Sequence, residues 1–228
     1  MKDLGRNIVV TADGSTTIGI PSWKEHYHST HGAVNEAMHV FIQNGLSHWK
    51  SQNPNDVRCN ILEIGFGTGL NAWLTFLNNV DSNLTVFYDG IEAFPVQIEL
   101  IEALNYTHLA ESSKANIFRS MHLNEWSVPL SLSPNFTLTK IQSTFEALKA
   151  KDVYDLIYYD AFGARVQPEL WTVEMFQKMQ NALKPGGVLV TYCAKGSVRR
   201  AMLDVGLEVE RLIGPPGKRE MLRASKKK

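Results

Sequence analysis

The chain has 228 residues, of which 44% are hydrophobic and 20% are charged, and its formal net charge is zero. These values predict one globular domain with a sizeable core, and they exclude a disordered chain and a uniformly basic coat for nucleic acid. No apolar run approaches the roughly 18–20 residues of a membrane span. The polar stretch Met1–Arg6 precedes no apolar segment typical of a signal peptide, so the expected compartment is the cytoplasm.

The first fifty residues predict a small N-terminal extension, residues 1–50, ahead of the main domain. The pair Asp13-Gly14, between residues of strand propensity, indicates a hairpin. Pro21–Trp49 has an apolar stripe near helical spacing, and Ser29 or Thr30 is the expected helix cap.

Residues 51–228 alternate strands and helices, which implies right-handed crossovers and a parallel sheet covered on both faces. The predicted strands are Cys59–Ile64, Leu84–Tyr88, Phe136–Ile141, Asp155–Tyr159 and Val188–Cys193, and the main predicted helices are Leu70–Leu77, Pro95–Leu104, Pro168–Leu183 and Ser197–Leu203. Two further strands, Leu207–Ile213 and Arg219–Ala224, flank a turn too tight for a crossover and must pair antiparallel. The sequence therefore predicts an α/β, Rossmann-like, mostly parallel sheet of seven strands with an antiparallel C-terminal hairpin.

The segment ILEIGFGTGLNAWL, residues 61–74, is typical of a strand, a glycine loop and a helix. Gly65, Gly67 and Gly69 lack the Cβ that would block a ligand, and the loop directs the first helical amides towards it. The spacing G-x-G-x-G differs from the dinucleotide fingerprint G-x-G-x-x-G. Glu63, two residues before the first glycine, favours a cationic group over a pyrophosphate. These features point to S-adenosylmethionine, and a dehydrogenase cofactor is the alternative.

Glu92 stands near the end of the second predicted strand, 23 residues after Gly69. An acid there can accept hydrogen bonds from both ribose hydroxyls of a cofactor. NAD enzymes share the feature, so Glu92 does not separate the two cofactors, and a solvated strand-end acid is the simpler alternative. Ala93 beside it is assigned to the same cofactor site.

Cysteine and histidine content predicts neither a disulfide nor a metal site. Cys59 and Cys193 both fall in apolar predicted strands, which favours reduced thiols in the core. The seven histidines show no H-x-x-x-H or mixed Cys/His spacing typical of zinc.

Several segments together carry a family resemblance: LEIGFGTGLNA, GIEAFP, IYYDAF, QPELW, GGVLVTYCAKGSVRR and GPPGKREM. In this order they resemble the methyltransferase domain of MnmC, the bifunctional tRNA 5-methylaminomethyl-2-thiouridine biosynthesis family. PSWKEHYHSTHGAVNEAMHVFI also matches, and the similarity runs from about Asp13 to Ala224. It implies a class I S-adenosylmethionine-dependent methyltransferase fold. No second glycine fingerprint follows, so the chain resembles the standalone, MnmD-like form without the fused flavin oxidase.

The resemblance implies methyl transfer to the primary amine of 5-aminomethyl-(2-thio)uridine at the wobble position, in the anticodon stem-loop of tRNA. Asp160, which follows a core strand, would lie beside the glycine loop, contact the cofactor, orient the amine and receive its proton. An ordinary strand-end acid is the alternative. Phe162 would exclude water or lie against the uracil ring, and Gln167 would contact the base or the cofactor.

The resemblance also places the N-terminal segment over the cofactor cleft, so Tyr27 and Glu36 are expected to line it. The alternative is a helix that only packs on the sheet. Ser143 and Thr144 occupy the place where methyltransferases often carry an acid that contacts the adenine amino group.

Positive charge is concentrated near the C-terminus, where residues 195–228 contain ten Lys or Arg against four Asp or Glu. This region is the expected surface for an anionic partner, with a solvated face as the alternative. The expected RNA phosphate contacts are Lys195, Arg199, Arg200, Lys218 and Arg219. Two other functions stay open: an N-methyltransferase for another nucleobase or a small-molecule amine, and a dinucleotide-binding oxidoreductase or non-catalytic binding module.

Overall fold

The computed structural model describes residues 5–228, which contain two β-sheets. The small sheet is antiparallel, in the order β1 (Asn7–Val10), β2 (Thr16–Ile20) and β3 (Glu25–His26). The hairpin predicted at Asp13-Gly14 is confirmed as the connection between β1 and β2. Residues 1–4 of the polar N-terminal stretch lie outside the described residues.

The large sheet has eight strands in the order β10-β11-β9-β8-β4-β5-β7-β6. These are β4 (Arg58–Ile64), β5 (Thr85–Glu92), β6 (Leu130–Ser133), β7 (Phe136–Gln142), β8 (Tyr154–Tyr159), β9 (Leu183–Thr191), β10 (Glu208–Ile213) and β11 (Glu220–Ser225). The five central strands are parallel, and the C-terminal pair is antiparallel, as predicted. The predicted number of seven strands is wrong by one. The additional strand, β6, is a short edge strand of alternating Leu and Ser that pairs antiparallel with β7.

Helices cover both faces of the large sheet. One continuous helix, residues 33–52, consists of α1 (Ala33–Ala37), the π-helical segment Met38–Ser47 and α2 (His48–Gln52). The others are α3 (Leu70–Leu77), α4 (Ile98–Glu102), α5 (Ala115–Leu123), α6 (Val173–Ala182) and α7 (Gly196–Asp204), with 3₁₀ turns at Tyr106–Leu109, Ser112–Lys114, Phe145–Ala147 and Pro168–Trp171. Across residues 5–228, none of these helices has the length and apolarity needed to cross a bilayer.

The core consists of two apolar clusters, one on each face of the sheet. The first joins the helix of residues 33–52 and α3 to the sheet, and the rings of Phe41 and Tyr158 lie 5.2 Å apart in it. Gly45 allows this helix to approach closely, because a Cβ there would lie 3.1 Å from both Tyr158 and Val190. The second cluster packs α6 and α7 against the opposite face.

The N-terminus of α1 is capped differently from the prediction. Neither Ser29 nor Thr30 is the N-cap residue, which is Gly32. The first helical amides instead donate to side chains of the β1–β2 turn: Ala33 to Thr11, Val34 to Ser15 and Asn35 to Asp13. The hairpin therefore satisfies amides that would otherwise lack partners, and it fixes the small sheet against the helix.

Two predicted helices begin later than expected. Pro168 starts a 3₁₀ turn, and Thr172 is extended and caps a separate helix, α6, through a 3.3 Å hydrogen bond from the Met175 amide. The helix predicted from Pro95 begins at Ile98, after the extended residue Gln97. In both places an extended residue directly precedes the α-helix, and apolar spacing alone does not reveal it.

Candidate active site

The candidate site begins where two neighbouring strands end. In the parallel pair β4 and β8, Ile64 lies opposite Tyr159. The next residues, Gly65 and Asp160, are therefore adjacent, and the Asp160 amide donates to the Ile64 carbonyl at 2.9 Å. A Cβ on Gly65 would lie 2.7 Å from the Asp160 carbonyl oxygen, so this approach requires glycine. Asp160 thus lies beside the glycine loop, the position expected from the sequence.

A cavity of about 1450 Å³ opens beyond these strand ends. It exceeds the roughly 300–1,000 Å³ of a typical small-ligand pocket and has room for two ligands side by side. Its acidic lining residues are Glu25, Glu36, Glu63, Glu92, Glu99, Glu146, Asp160 and Glu169. Its basic ones are Arg6, Arg165, Lys195 and Lys218. This excess of acids favours a cationic ligand.

The glycine loop is tied to β5 by hydrogen bonds. The Gly65 amide donates to the Ile91 carbonyl at 3.0 Å, and the Gly67 amide donates to Glu92 Oε2 at 3.0 Å. Glu92 Oε1 accepts from the Phe94 amide at 2.9 Å, which fixes its carboxylate at the cavity. Because both glycine amides have partners within the protein, these glycines contribute close backbone approach rather than free donors.

Two acids share one amide donor in the cavity wall. Asn71 in α3 donates through Nδ2 to Glu63 Oε1 and to Asp160 Oδ2, both at 2.8 Å. The Tyr88 hydroxyl donates to the other Glu63 oxygen at 2.8 Å. Glu63 is 1% exposed, whereas Asp160 keeps partial exposure to the cavity. Glu63 and Asp160 are called the acid pair below.

Burial and nearby negative charge raise the proton affinity of both members of the acid pair. The pKa of Glu63 lies well above its usual range because the carboxyl is buried and because Asp160 is close. Burial and the Glu36 charge raise the pKa of Asp160 to about 7, against the opposing effects of Asn71 and Lys218. A carboxyl of this kind can accept a proton at physiological pH.

A third acid in the cavity is neutralised by a cation. Glu36, in α1, is buried and forms a hydrogen-bonded ion pair with Lys218, from the turn between β10 and β11. Its other oxygen accepts from the Ser29 amide at 3.1 Å. The Lys218 ammonium also lies 4.0 Å from the centroid of the Tyr192 ring. Glu36 and Lys218 are called the ion pair below. Lys218, which the sequence predicts as an RNA phosphate contact, lines the cavity, where its ammonium pairs with Glu36.

Aromatic residues connect the small sheet to the loop after β8. The Phe162 ring lies edge-on to Trp23 and Tyr27, with centroids 5.5 and 5.0 Å apart. Arg165 Nη2 donates to Glu25 Oε1 at 2.6 Å, so an ion pair joins the same two segments. Burial raises the pKa of Tyr27 to about 12, so its phenol stays protonated. The N-terminal segment therefore forms a wall of the cavity as well as packing on the sheet.

Most residues inferred from the sequence line the cavity. They are Tyr27, Glu36, Glu63, Gly65, Gly67, Glu92, Ala93, Asp160, Phe162, Gln167, Lys195 and Lys218. Those outside the lining are Gly69, Arg199, Arg200 and Arg219. Gly69 begins α3 with φ +71° and faces His122, and the Arg199–Arg200 pair lies in α7. Of the two residues that stand in place of the usual adenine-contacting acid, Thr144 lines the cavity and Ser143 does not.

Sequence reasoning missed several lining residues, namely Arg6, Trp23, Asn71, Arg165 and Tyr192. Asn71 carried a signal, because it is a polar residue in the apolar helix LNAWLTFL and a buried amide needs partners. The others reach the cavity from loops or strand ends, and only tertiary packing brings them there.

Neither cysteine lines the cavity. Cys59, in β4, and Cys193, two residues after β9, are free and buried. In the described part of the chain, residues 5–228, no three His, Cys, Asp or Glu side chains are grouped to hold a metal ion.

The fold defines the class of protein. MnmC2 from Aquifex aeolicus superposes with a TM-score of 0.76 at 24% identity, covering 98% of this chain and 71% of that one. Spermidine synthase from Thermotoga maritima superposes with a TM-score of 0.55 at 15% identity, covering 97% and 68%. The chain therefore has the class I, Rossmann-like methyltransferase architecture predicted from its sequence.

The family follows from the sequence match. Residues 113–227 match the family described as S-adenosyl-L-methionine-dependent methyltransferase, and the chain belongs to it. S-adenosylmethionine is therefore its methyl donor. The site fits this donor, because its acidic lining suits a cation and the loop glycines Gly65 and Gly67 both line the cavity.

Two relatives of the chain share the name tRNA 5-methylaminomethyl-2-thiouridine biosynthesis bifunctional protein MnmC. The protein from Ectopseudomonas mendocina (strain ymp) is 30% identical over 210 residues, which are 88% of this chain and 32% of that relative. The protein from Idiomarina loihiensis is 29% identical over 220 residues, 90% of this chain and 36% of the relative. The chain spans about a third of the length of these relatives. The resemblance to the MnmC methyltransferase domain is confirmed.

Proposed function

We propose that the protein methylates the primary amine of 5-aminomethyl-(2-thio)uridine at the wobble position of tRNA, giving 5-methylaminomethyl-(2-thio)uridine. Relatives named for the biosynthesis of that nucleoside support this substrate. The observation that carries the proposal is the Asp160 carboxyl, which lies in the cavity beside the glycine loop with a pKa near neutrality.

S-adenosylmethionine supplies a methyl group activated by a positively charged sulfur. The chain residues assigned to its site are Tyr27, Glu36, Glu63, Gly65, Gly67, Gly69, Glu92, Ala93 and Asp160. Glu92 is suited to ribose hydroxyls because its carboxylate is already fixed by two backbone amides. Gly69 acts indirectly: it packs against His122 and Phe66 with a left-handed backbone and so fixes the junction between the loop and α3.

Asp160 is assigned as the catalytic residue. It accepts a hydrogen bond from the substrate amine, directs the nitrogen lone pair towards the methyl group, and takes the proton that the nitrogen loses. The nitrogen–carbon bond forms as the carbon–sulfur bond breaks, and S-adenosylhomocysteine leaves. An amine is itself a sufficient nucleophile, so no bond to the enzyme is needed, in keeping with two buried thiols outside the cavity.

Phe162 and Gln167 are assigned to the uridine. Both line the cavity, and the Phe162 ring is already held edge-on by Trp23 and Tyr27. A ring fixed before binding loses little side-chain entropy when a base packs against it.

The tRNA backbone is assigned to basic residues near the cavity, namely Lys195, Arg199, Arg200 and Arg219. Lys195 lines the cavity mouth, and the Arg219 side chain is 94% exposed. We expect Lys195→Gln and Arg219→Gln to weaken binding several-fold at low salt and to reduce its salt dependence. Fluorescence anisotropy of a labelled anticodon stem-loop between low and moderate salt measures both effects. If affinity and salt slope stayed as in the wild type, these two residues would not contact RNA.

The decisive experiment is nucleoside analysis of a methylation reaction. Purified protein and S-adenosylmethionine are incubated with tRNA that carries unmethylated 5-aminomethyluridine, and the digested nucleosides are separated by mass. We expect the aminomethyl nucleoside to decrease as its methylated form appears, and omission of the cofactor to abolish the change. Methylation of free small amines without any change in tRNA would favour a small-molecule acceptor instead.

A further inference from the structure

We propose that the ion pair of Glu36 and Lys218 controls how readily Asp160 takes a proton, which makes both of them positioning residues for methyl transfer. The inference rests on the proposed function of this cavity. It gives a role to the segment GPPGKREM, whose lysine lines the cavity although its sequence suggested an RNA contact.

The ion pair is held in place from both sides. The β10–β11 turn docks against the segment before α1 at Gly217, where φ is +82° and a Cβ would overlap the His31 ring. A side chain at position 217 would therefore displace Lys218. On the other side, Glu36 is 6% exposed and is also fixed by the Ser29 amide. The ammonium position thus depends on two segments far apart in sequence.

Contacts lead from the ion pair to Asp160. The Lys218 ammonium lies on the Tyr192 ring, and the Tyr192 hydroxyl donates to the Ala161 carbonyl at 2.8 Å. Ala161 follows Asp160 directly, so the ion pair is linked to the backbone that carries the carboxyl. The two charges act on Asp160 in opposite directions, because Glu36 disfavours its ionised form and Lys218 favours it.

Several ionisable groups from the surrounding elements interact with Asp160. Besides the ion pair of Glu36 in α1 and Lys218 in the hairpin turn, they are Glu63 in β4, Tyr88 in β5 and Tyr192 after β9. Burial raises the pKa of both tyrosines, so they remain uncharged. Burial also raises the pKa of Glu63 well above its usual range, so its proton must be distinguished from that of Asp160.

The test is a pH titration of the protein labelled with ¹³C at aspartate carboxyls, which leaves Glu63 invisible. Asp160→Asn identifies the Asp160 signal. We expect Lys218→Met to raise the Asp160 midpoint, and Glu36→Gln to lower it, each by about half a pH unit to one unit. Lys218→Arg should restore the wild-type midpoint. Lys227→Gln is the matched control, because it removes one positive charge from the exposed far end of the same hairpin.

Opposite shifts in the two variants would support the proposal, since a general loss of packing does not reverse sign between them. Shifts in the same direction, or no shift in either, would overturn it. The double variant Glu36→Gln with Lys218→Met should return close to the wild-type midpoint, which guards against a local structural change in one variant.

Activity is measured separately, as the pH dependence of kcat/KM for the cofactor in the same variants. The acidic limb of the kcat/KM profile should shift in each variant in the same direction as the Asp160 titration midpoint. If the wild type methylated no tRNA, the proposed function would fail, while the carboxyl titration would still decide the effect of the ion pair.

Discussion

The acid pair and the ion pair bury carboxyls in one cavity by different means. Glu63 and Asp160 are held by neutral donors, the Asn71 amide and the Tyr88 hydroxyl. Glu36 is held by a cation, Lys218. A neutral donor satisfies a hydrogen bond without cancelling charge, so the acid pair keeps a high proton affinity. One wall of the cavity is thus suited to receive a proton, and another holds fixed opposite charges.

The largest expected effect comes from Asp160→Asn. Asparagine keeps the shape of the side chain but cannot accept the amine proton, so kcat should fall by about 100-fold or more. Cofactor binding, measured by calorimetry with S-adenosylhomocysteine, should persist. The matched control is Asp152→Asn, a change at an exposed acid that pairs with Lys226. Turnover near wild type with Asp160→Asn would show that the acid pair is structural only.

A strong pH dependence should follow from the raised pKa of Asp160. The carboxyl must be deprotonated to act, so kcat/KM for the cofactor should rise with pH and level off above about 7. At pH 5 it should be about 100-fold lower than at pH 8, since each pH unit below the pKa costs a factor of about ten. A positively charged cofactor favours the carboxylate, so the kcat profile should lie at lower pH. A flat profile over this range would remove the proton-accepting role.

Glu63→Gln should have a smaller effect, centred on the cofactor. Both Glu63 oxygens already have partners, so Glu63 contributes to a cationic ligand through the ionised form that the ligand itself favours, rather than through a new hydrogen bond. We expect KM for S-adenosylmethionine to rise by about tenfold with a lesser change in kcat. An unchanged KM would restrict Glu63 to holding Asn71 and Tyr88.

The smallest effects are on stability, and they should have opposite signs in the two pairs. The raised pKa of Asp160 means that the folded protein binds this proton more tightly than the unfolded chain. Stability from this group is therefore full below about pH 4 and lost as pH rises to about 7. At pH 8, Asp160→Asn should raise the free energy of unfolding by about 2 kcal/mol, a value reduced because Asp160 is partly exposed.

Glu36→Gln should instead lower the free energy of unfolding by about 1–3 kcal/mol, because it leaves the Lys218 charge without its partner. Urea unfolding of the unliganded variants at pH 8 and pH 5 measures both changes. The gain from Asp160→Asn should shrink at pH 5. If both variants changed the free energy of unfolding with the same sign, the proposed difference between the two pairs would be wrong.

Much of the fold could be predicted because local patterns specify it. The helix Leu70–Leu77 has the bounds predicted from the sequence, because Gly69 precedes it and its apolar residues extend to Leu77. The edge strand β6 was missed because four alternating residues with half-buried leucines resemble a loop. The caps of α1 were missed because Thr11, Asp13 and Ser15 lie about twenty residues away.

The order of strands and helices along the chain, the glycine loop and the acid after a core strand could all be predicted, because spacing and residue type reflect backbone geometry. Which side chains meet depends on tertiary packing. Asn71 bridges two strand ends, and Lys218 reaches Glu36 across 182 positions. Such contacts depend on how distant segments pack, and no periodic pattern in the sequence indicates them. The acid that ends β8 was therefore visible in the sequence, whereas the charges acting on it were not.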